Sequence, residues 1–439
     1  MPVPVKMPPV MREIAGVPIA EIVKEFGTPV FVYDEARILS QLEDLEKFDV
    51  VRYAQKACSN LAILQILRKA GAKVDAVSAM EIRRALAAGF KAHPDSEEEI
   101  PEIVYTADIF DRDALNLCVE HGIHVNCGSI DMIHQLGRAL NDRPETEYPV
   151  EITIRINPGF GHGHSQKTNT GGPLSKHGIW YQDVPVALAV AGKYGISITG
   201  LHIHIGSGTD FEHLSQCCSA MKDFAMSVGS SVHTISTGGG LPTVYREGDE
   251  YVDLEKYFAL WDQTRCEIEQ MNQTPITLEI EPGRYLVAES GFMLAEVRAV
   301  KTQGGTDLFY LLDAGFNNLA RPMLYGSYHP MAICPLNGDP NEERPIVDAV
   351  VCGPLCESGD VFTQEEGGFV VTRKMPRAWV GDVLVMGCAG AYGFVMGSNY
   401  NSKLYASEVL IRDGKLICIR RRQTFEQLVE NEIMLAEDA

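Results

Sequence analysis

The sequence predicts an α/β plus all-β protein, a (β/α)8 barrel followed by a β-sandwich or β-barrel domain. Two observations lead to this prediction. Short apolar runs recur over the first part of the chain, and most precede a segment with apolar residues at helical spacing that ends in glycine. After about residue 290 the runs alternate or are β-branched, and Gly, Pro and Asp separate them. The early runs are VVRYA, KVDAV, EIVYT, IHVNC, VEITIRI, ITGLHIHI, VHTIST and TLEIE.

Eight strand–helix units favour a closed barrel over a doubly wound sheet, which usually has fewer units. The chain has 439 residues, too long for one ordinary core, so we expect two domains. The barrel is predicted over residues 36–289. The β domain is predicted to combine residues 1–35 with 290–439, because the strand-like GTPVFVYDE precedes the first barrel strand.

Composition narrows the class of protein. There are 38 basic and 59 acidic residues, for a net charge of −21, and no basic stripe, so nucleic acid is not expected as a partner. The 11 cysteines form no C-x-x-C pair, which fits reduced thiols in a cytoplasmic protein. The N-terminus lacks an apolar signal region. Residues 383–402 are uncharged but rich in Gly, Ser and Asn, so we expect a loop there and no membrane contact.

Polar residues follow most of the predicted barrel strands. In such barrels the active site lies at the carboxyl ends of the strands, so these residues are expected to converge on one mouth. Lys56 in YAQKACSN has no charged neighbour, which suggests that its amine has a specific partner. The other residues at strand ends are Asp75, Ser78, Arg155, Asn157, His204, Gly206, Ser207, Gly238, Gly239, Gly240, Glu281 and Arg284.

Each motif, taken alone, allows several interpretations. The glycine run in STGGGLP is either a phosphate cradle or a flexible turn. His202 and His204 share a strand face. They are interpreted as a metal-binding pair or as a platform for a flat cofactor ring, or one of them is a hydrogen-bonded core histidine. His162 and His164 lie on a long loop that suggests a lid or a second metal-like cluster. Glu281 is either half of a salt bridge that closes the barrel or the partner of a cationic ring nitrogen.

The β domain adds two candidates. CGPLCESGD contains Cys352, interpreted as a structural thiol, and Cys356, which begins a polar turn where a thiol can act chemically. Tyr392 lies between small residues in AGAYGFVMGSNYNS. An isolated amine, a phosphate cradle, a ring platform and a carboxylate for a ring nitrogen all suit pyridoxal 5′-phosphate, whose aldehyde reacts with a lysine. Lys56 is therefore predicted to hold this cofactor.

The chain resembles the diaminopimelate decarboxylase family, within the alanine-racemase-like (fold type III) group of pyridoxal-phosphate enzymes. The resemblance rests on YAQKACSN, LHIHIGSG, STGGGLP, EIEPGRYLV, DAGFNNLARPMLYGSYHP, GPLCESGD and GAYGFVMGSNYNS, in family order over nearly the whole chain. The common family form of the first motif has Asn where this chain has Cys58.

The resemblance implies a role for each candidate residue. Lys56 attaches the cofactor, His204 stacks on its ring, and Glu281 pairs with the ring nitrogen. Cys356 is the proton donor and reaches the active site of the partner subunit in a homodimer. The remaining cofactor-binding residues are Ser207, Gly238, Gly239, Gly240, Pro282, Gly283, Arg284 and Tyr392. The substrate-binding residues are Arg284, Arg321, Tyr325, Glu357 and Tyr392.

The expected reaction is the decarboxylation of meso-2,6-diaminopimelate to L-lysine and CO2, the last step of lysine biosynthesis. Charge supports this substrate, because Arg284 and Arg321 suit its distal carboxylate and Glu357 suits its distal ammonium. Two alternatives remain open at this stage. One is a fold type III enzyme for another amino acid, such as an ornithine or arginine decarboxylase or a racemase. The other is a metal-dependent barrel hydrolase, although no metal site is predicted.

Overall fold

The computed structural model describes residues 7–93, 99–142, 150–161, 170–204, 206, 210–303, 307–336 and 343–435. The chain divides into two compact units. The first contains residues 39–243 and 250–286, and the second contains residues 4–38, 244–249 and 287–439. The short segment 244–249 thus belongs to the second unit although it lies between two parts of the first, which the sequence did not predict.

The first unit is a closed parallel barrel, as predicted. Among the described residues, eight parallel strands pair in sequence order. The sixth strand, for example, pairs with both the fifth and the seventh. The last strand pairs with the first, which closes the barrel. The strands are Val50–Ala54, Lys73–Ala76, Ile103–Ala107, His124–Cys127, Glu151–Asn157, Ser197–His202, Thr234–Ser236 and Thr277–Ile280.

A helix follows each barrel strand, and local sequence fixes where most of these helices begin. Six of them start after an Asn, Ser or Asp whose side chain accepts a hydrogen bond from a free backbone N–H of the first turn. The helices are Leu61–Lys69, Ala79–Ala87, Arg112–His121, Ile130–Asn141, Val184–Lys193, Phe211–Val228, Leu254–Asn272 and Arg284–Val287. A short strand, Ile179–Trp180, pairs with the end of the fifth barrel strand.

The second unit is built on a mostly antiparallel sheet, in agreement with the all-β prediction. Its longest strand, Gly291–Gln303, pairs with three others: Val30–Asp34, Asp307–Leu312 and Val383–Met386. The sheet therefore branches at this strand. Its further strands are Met331–Cys334, Ile346–Cys352, Arg373–Pro376, Ser407–Arg412 and Lys415–Arg420.

Short helices and a hairpin complete the second unit. The strands Glu13–Ile14 and Val17–Pro18 form a two-stranded pair, and the helix Ile19–Phe26 packs its Ile19 and Ile22 into the core of the sheet. The other helices are Glu35–Glu43, which continues into the first unit, Arg321–Tyr325 and Phe425–Val429. Within the described parts of the chain, no helix is both long and apolar enough to cross a lipid bilayer.

Candidate active site

Lys56 lies where the first barrel strand ends. The buried strand Val50–Ala54 turns into a single helical turn, Gln55–Ala57. Gln55 and Ala57 are buried, and the Gln55 side chain donates a 3.1 Å hydrogen bond to the Glu81 carbonyl. Lys56 itself is exposed. The turn is therefore anchored by its flanking residues, and the amine is accessible to a reacting group.

Glu281 follows the eighth strand and is held as an ionised carboxylate. The Ser236 hydroxyl donates to its Oε1 at 2.8 Å, and the Nε2 of His202 lies 3.1 Å from its Oε2. Burial alone would raise the pKa of Glu281, but the adjacent His202 ring and the hydrogen bond from Ser236 lower it below the ordinary value. A buried anion at this position can keep a proton on a facing ring nitrogen.

Asp75, at the end of the second strand, is a second buried carboxyl in this barrel. Burial, together with the negative charge of Glu281, raises its pKa to about 7, against the opposing charge of Lys56. Its Oδ1 has no hydrogen-bond partner among the described residues. Because two nearby carboxyls do not ionise with equal ease, Glu281 carries the negative charge and Asp75 stays protonated more readily.

His204 follows the sixth strand and is a neutral ring. Burial lowers its pKa well below the ordinary value, and the positive charges of Arg155, Lys56 and His202 lower it further. Its backbone carbonyl accepts hydrogen bonds from Thr170 Oγ1 at 2.9 Å and from Arg155 Nη2 at 3.4 Å. Its Nδ1 is buried with no partner in the described structure. A neutral flat ring of this kind suits stacking on a cofactor ring.

The glycine run after the seventh strand is a tight turn that admits no side chain. A Cβ on Gly239 would lie 2.5 Å from the Glu281 carbonyl oxygen, and a Cβ on Gly240 would lie 2.3 Å from that of Gly206. Gly238 has a φ of +67° and donates its N–H to Ser236 Oγ at 3.2 Å. The turn therefore has backbone N–H groups but no side chains, as a phosphate cradle requires. Ser207 lies outside the described residues.

The segment after Glu281 brings the eighth strand against the first. The Pro282 carbonyl accepts a 3.1 Å hydrogen bond from the Ala54 N–H, and a Cβ on Gly283 would lie 3.2 Å from the Ala54 carbonyl oxygen. Arg284 is partly buried and begins the last barrel helix. Pro282 and Gly283 therefore pack beside the turn that carries Lys56, and they help to fix the position of that turn.

In the second unit, Arg321 is a buried cation. It is 5% exposed, its Nη1 lies 2.9 Å from the Nε2 of His329, and its guanidinium lies 5.1 Å from the centre of the Tyr245 ring. Within the described residues, Arg321 forms no ion pair with a carboxylate. Tyr325, one helical turn later, is exposed.

The Cys356 turn is held by two side chains of the second unit, those of Asn401 and Asp360. The Cys356 N–H donates to Asn401 Oδ1 at 2.8 Å, and Asn401 has a φ of +53°. The buried Asp360 accepts hydrogen bonds from the Leu355 N–H at 2.8 Å and the Phe316 N–H at 2.7 Å. Cys356 and Glu357 are exposed on this fixed turn. Tyr392 is partly buried, with a φ of +56°, an uncommon backbone conformation for a residue with a side chain.

Most of the other thiols are shielded. Only Cys356 and Cys418 are exposed among the 11 cysteines, and none of the 11 forms a disulfide. Burial raises the pKa of Cys352 to about 11, which fits its interpretation as a structural thiol. Burial likewise raises the pKa values of Cys118, Cys127, Cys217, Cys218, Cys334 and Cys388.

Some residues at strand ends have local structural contacts. Ser78 caps the second barrel helix by accepting from the Glu81 N–H. The Asn157 side chain forms hydrogen bonds with both the N–H and the carbonyl of Gly172, so these two residues are held together. His162 and His164 lie outside the described residues. No group of three or more His, Cys, Asp or Glu side chains in the described part of the chain could hold a metal ion.

Sequence reasoning missed several residues that shape the site. In the barrel, Ser236 contacts Glu281 and Thr170 contacts His204. In the second unit, Tyr245 and His329 both contact Arg321, and Asn401 contacts Cys356. Ser236 is the first residue of STGGGLP and lies at the end of the seventh strand, so its position at a strand end was a signal for it. Thr170 and Tyr245 lie in loops without a periodic signal, whereas His329 and Asn401 lie within the motifs DAGFNNLARPMLYGSYHP and GAYGFVMGSNYNS.

Comparison with known proteins identifies the family. Residues 35–288 match the family model described as "Pyridoxal-dependent decarboxylase, pyridoxal binding domain". Diaminopimelate decarboxylase of Escherichia coli (strain K12) is 50% identical over 412 residues, which cover 93% of this chain and 95% of the relative. The chain belongs to the diaminopimelate decarboxylase family.

Further relatives agree with this assignment. The diaminopimelate decarboxylase of Streptomyces coelicolor is 48% identical over 418 residues, covering 95% of this chain and 92% of the relative. A crystal structure of diaminopimelate decarboxylase is 50% identical with a TM-score of 0.88, covering 94% of this chain and 95% of that one. Members of the diaminopimelate decarboxylase family are carboxy-lyases, and pyridoxal 5′-phosphate is the cofactor, which excludes the metal-dependent hydrolase alternative.

Proposed function

We propose that this chain decarboxylates meso-2,6-diaminopimelate to L-lysine and CO2, the last step of lysine biosynthesis. Its relatives at 50% and 48% identity bear the name of this activity. The structural observation that supports the substrate is Arg321, a buried guanidinium without a carboxylate partner in the described residues. A buried charge is costly unless it is paired, so the site favours a ligand with a carboxylate far from the reacting centre.

The barrel residues fit pyridoxal 5′-phosphate. When bound, this cofactor supplies a ring that accepts the electron pair left by the departing CO2. Lys56 would hold the cofactor through its side-chain amine. Glu281 keeps a proton on the ring nitrogen, and the neutral His204 ring packs against the cofactor. The phosphate is assigned to the glycine turn of Gly238, Gly239 and Gly240, with Ser207 and Tyr392.

Arg284 of the barrel and several β-domain residues are assigned to the substrate and to proton transfer. Arg284 and Arg321 bind its distal carboxylate, Glu357 binds its distal ammonium, and Tyr325 and Tyr392 complete the binding site. Cys356 delivers the proton that replaces the lost carboxylate. Its exposed thiol on a turn fixed by Asn401 is suited to reaching a neighbouring molecule.

We propose that the chain acts as a homodimer with shared active sites, in which each Cys356 acts in the site of the partner subunit. We also propose a cytoplasmic location. That none of the 11 cysteines forms a disulfide fits a reducing compartment. The net charge of −21 argues against nucleic acid as a partner.

The decisive experiment is a product assay. Purified protein with pyridoxal phosphate is incubated with meso-2,6-diaminopimelate, and both CO2 and L-lysine are measured. The same protein is tested with L-ornithine, L-arginine and L-lysine as matched amino acids without a second carboxylate. Equal amounts of CO2 and lysine from the first substrate alone support the proposal. CO2 release from ornithine or arginine, with none from diaminopimelate, would contradict it.

A further inference from the structure

The position of Arg321 depends on a histidine, His329, which is 0% exposed. Arg321 Nη1 lies 2.9 Å from the Nε2 of His329, and the Nδ1 of the same ring lies 3.0 Å from the Gly387 carbonyl oxygen. A guanidinium only donates hydrogen bonds and a carbonyl oxygen only accepts them. Both bonds therefore form only if Nδ1 carries the proton and Nε2 does not.

This arrangement makes His329 a neutral acceptor. A protonated imidazole would place two donors face to face at Nε2 and would put a second positive charge beside Arg321. The backbone of His329 is also fixed, because Arg373 Nη1 donates to its carbonyl at 2.6 Å. The Arg373 guanidinium in turn lies 3.9 Å from the centre of the neighbouring Tyr328 ring. The acceptor nitrogen is thus held in place from both its side chain and its main chain.

The choice of acceptor has an electrostatic consequence. Proteins commonly orient a buried arginine with Asp or Glu, which fixes its position and also cancels its charge. A neutral imidazole nitrogen fixes one N–H of Arg321 and leaves the positive charge uncancelled. The Tyr245 ring, 5.1 Å from the guanidinium, likewise stabilises the cation without supplying a negative charge.

We propose that His329 is a positioning residue that orients Arg321 through a neutral acceptor and so reserves its charge for the distal carboxylate of the substrate. This inference rests on the proposed function, in which Arg321 binds that carboxylate. It assigns substrate selectivity to a residue that need not touch the substrate. A carboxylate at position 329 would compete with the substrate for Arg321, whereas a neutral acceptor would not.

The test compares His329→Gln with His329→Glu, two side chains of nearly equal size. Both offer an oxygen to Arg321, but only glutamate cancels its charge. We expect the KM for meso-2,6-diaminopimelate to be at least about tenfold higher in the Glu variant than in the Gln variant, since a charge-assisted bond is lost. The turnover at saturation should differ much less between the two variants.

A pair of inhibitors separates charge from general damage. L-Lysine keeps the carboxylate assigned to Arg321, and pentane-1,5-diamine lacks it. The Glu variant should bind lysine at least about tenfold more weakly than the Gln variant, while both bind the diamine alike. Gln65→Glu adds the same charge at an exposed position and should leave both inhibition constants unchanged. Cofactor absorbance and unfolding temperature report whether the holoenzyme is intact.

If the Glu variant does not fold, His329→Leu replaces it, because leucine offers no acceptor; its KM should again exceed that of the Gln variant. Equal KM values for Gln, Glu and Leu variants would overturn the role of His329. A Glu variant that weakens lysine and the diamine equally would also overturn it. Failure of the proposed substrate role is distinguishable, since Arg321→Ala would then leave the KM for diaminopimelate unchanged.

Discussion

The Nε2 of His202 lies 3.1 Å from Oε2 of Glu281, and their side chains are only 1% and 8% exposed. With the hydrogen bond from Ser236, this contact keeps Glu281 ionised despite its burial. The same serine hydroxyl accepts a hydrogen bond from the Gly238 N–H, so Ser236 positions both the carboxylate and the glycine turn. The charge at the barrel mouth is therefore fixed before any ligand binds.

Replacing Glu281 with Gln should impair the reaction with little effect on substrate binding. Without the carboxylate, a ring nitrogen facing this position loses its proton and accepts electrons less well. We expect turnover to fall by about 10²-fold or more, as when a preorganised electrostatic group is removed. Steady-state kinetics and the absorbance of the bound cofactor are the measurements. Glu279→Gln, two residues earlier on the eighth strand and paired with Arg52, should reduce stability and leave the cofactor spectrum unchanged. A Glu281→Gln enzyme with wild-type turnover would rule out this role.

Lys56→Ala should abolish covalent attachment of the cofactor. Wild-type protein is expected to show a cofactor absorbance that borohydride reduces and fixes to the chain, because an amine and an aldehyde are joined at Lys56. The variant should bind cofactor without this reducible absorbance. Lys69→Ala, an exposed lysine on the first barrel helix, is the matched control and should behave as wild type. A reducible chromophore retained in Lys56→Ala would assign the attachment to another lysine.

Arg321→Lys should weaken substrate binding although it preserves the charge. A lysine ammonium cannot present the planar fork that pairs with a carboxylate in two places, and the lost charge-assisted bond is worth about 1.5–3 kcal/mol. The KM for diaminopimelate should rise accordingly, and lysine should inhibit less strongly. Arg298→Lys, at a side chain 62% exposed, serves as the control. An unchanged KM would remove Arg321 from the substrate site.

Cys356→Ala should retain the cofactor but lose proton delivery, with a fall in turnover of roughly 10²–10⁴-fold. If each Cys356 acts in the partner's site, mixing inactive Lys56→Ala and Cys356→Ala proteins should restore activity. Half of randomly paired dimers are mixed, and each mixed dimer has one intact site, so about a quarter of the wild-type sites should recover. Subunit exchange is verified separately by mass. No recovery after proven exchange would show that each chain uses its own cysteine.

The cofactor-free protein should show a pH-dependent contribution to stability from Asp75. Its pKa is raised mainly by burial from 3.8 to about 7, so its stabilising contribution is complete below pH 3.8 and is lost as the pH rises through about 7. Asp75→Asn removes this loss. The stability of this variant relative to wild type should grow between these two pH values, by on the order of 4 kcal/mol, and then remain constant. Urea unfolding across the range measures it. A difference independent of pH would contradict the raised pKa.

The barrel could be predicted because its signals are local. Each strand is a short apolar run and each helix has helical spacing and often a capping residue, so neighbouring units can be recognised one by one. The sheet of the second unit is different. Its strand Val30–Asp34 pairs with Gly291–Gln303 and Ser407–Arg412, far apart in the chain. Composition predicts an all-β domain there, but not which strands are neighbours.

The same division holds for the site. Lys56 and Glu281 could be predicted because the fold places strand ends at one mouth. The contact of Asn401 could not, since it meets the Cys356 N–H from 45 residues away in the chain. Tyr245 could not be predicted either, because its segment leaves the barrel for the second unit. Contacts of this kind depend on the folded β domain.

The shielding of the other cysteines makes the chain a selective target for electrophiles and oxidants. Thiols react as thiolates, and burial suppresses the thiolate in Cys118, Cys217, Cys334 and Cys352. Cys356 and Cys418 are the two exposed thiols, and only Cys356 is assigned to the chemistry. A mild alkylating reagent or peroxide would thus modify Cys356 and Cys418 before the buried thiols, and modification of Cys356 would inactivate the enzyme while the folded scaffold stays intact.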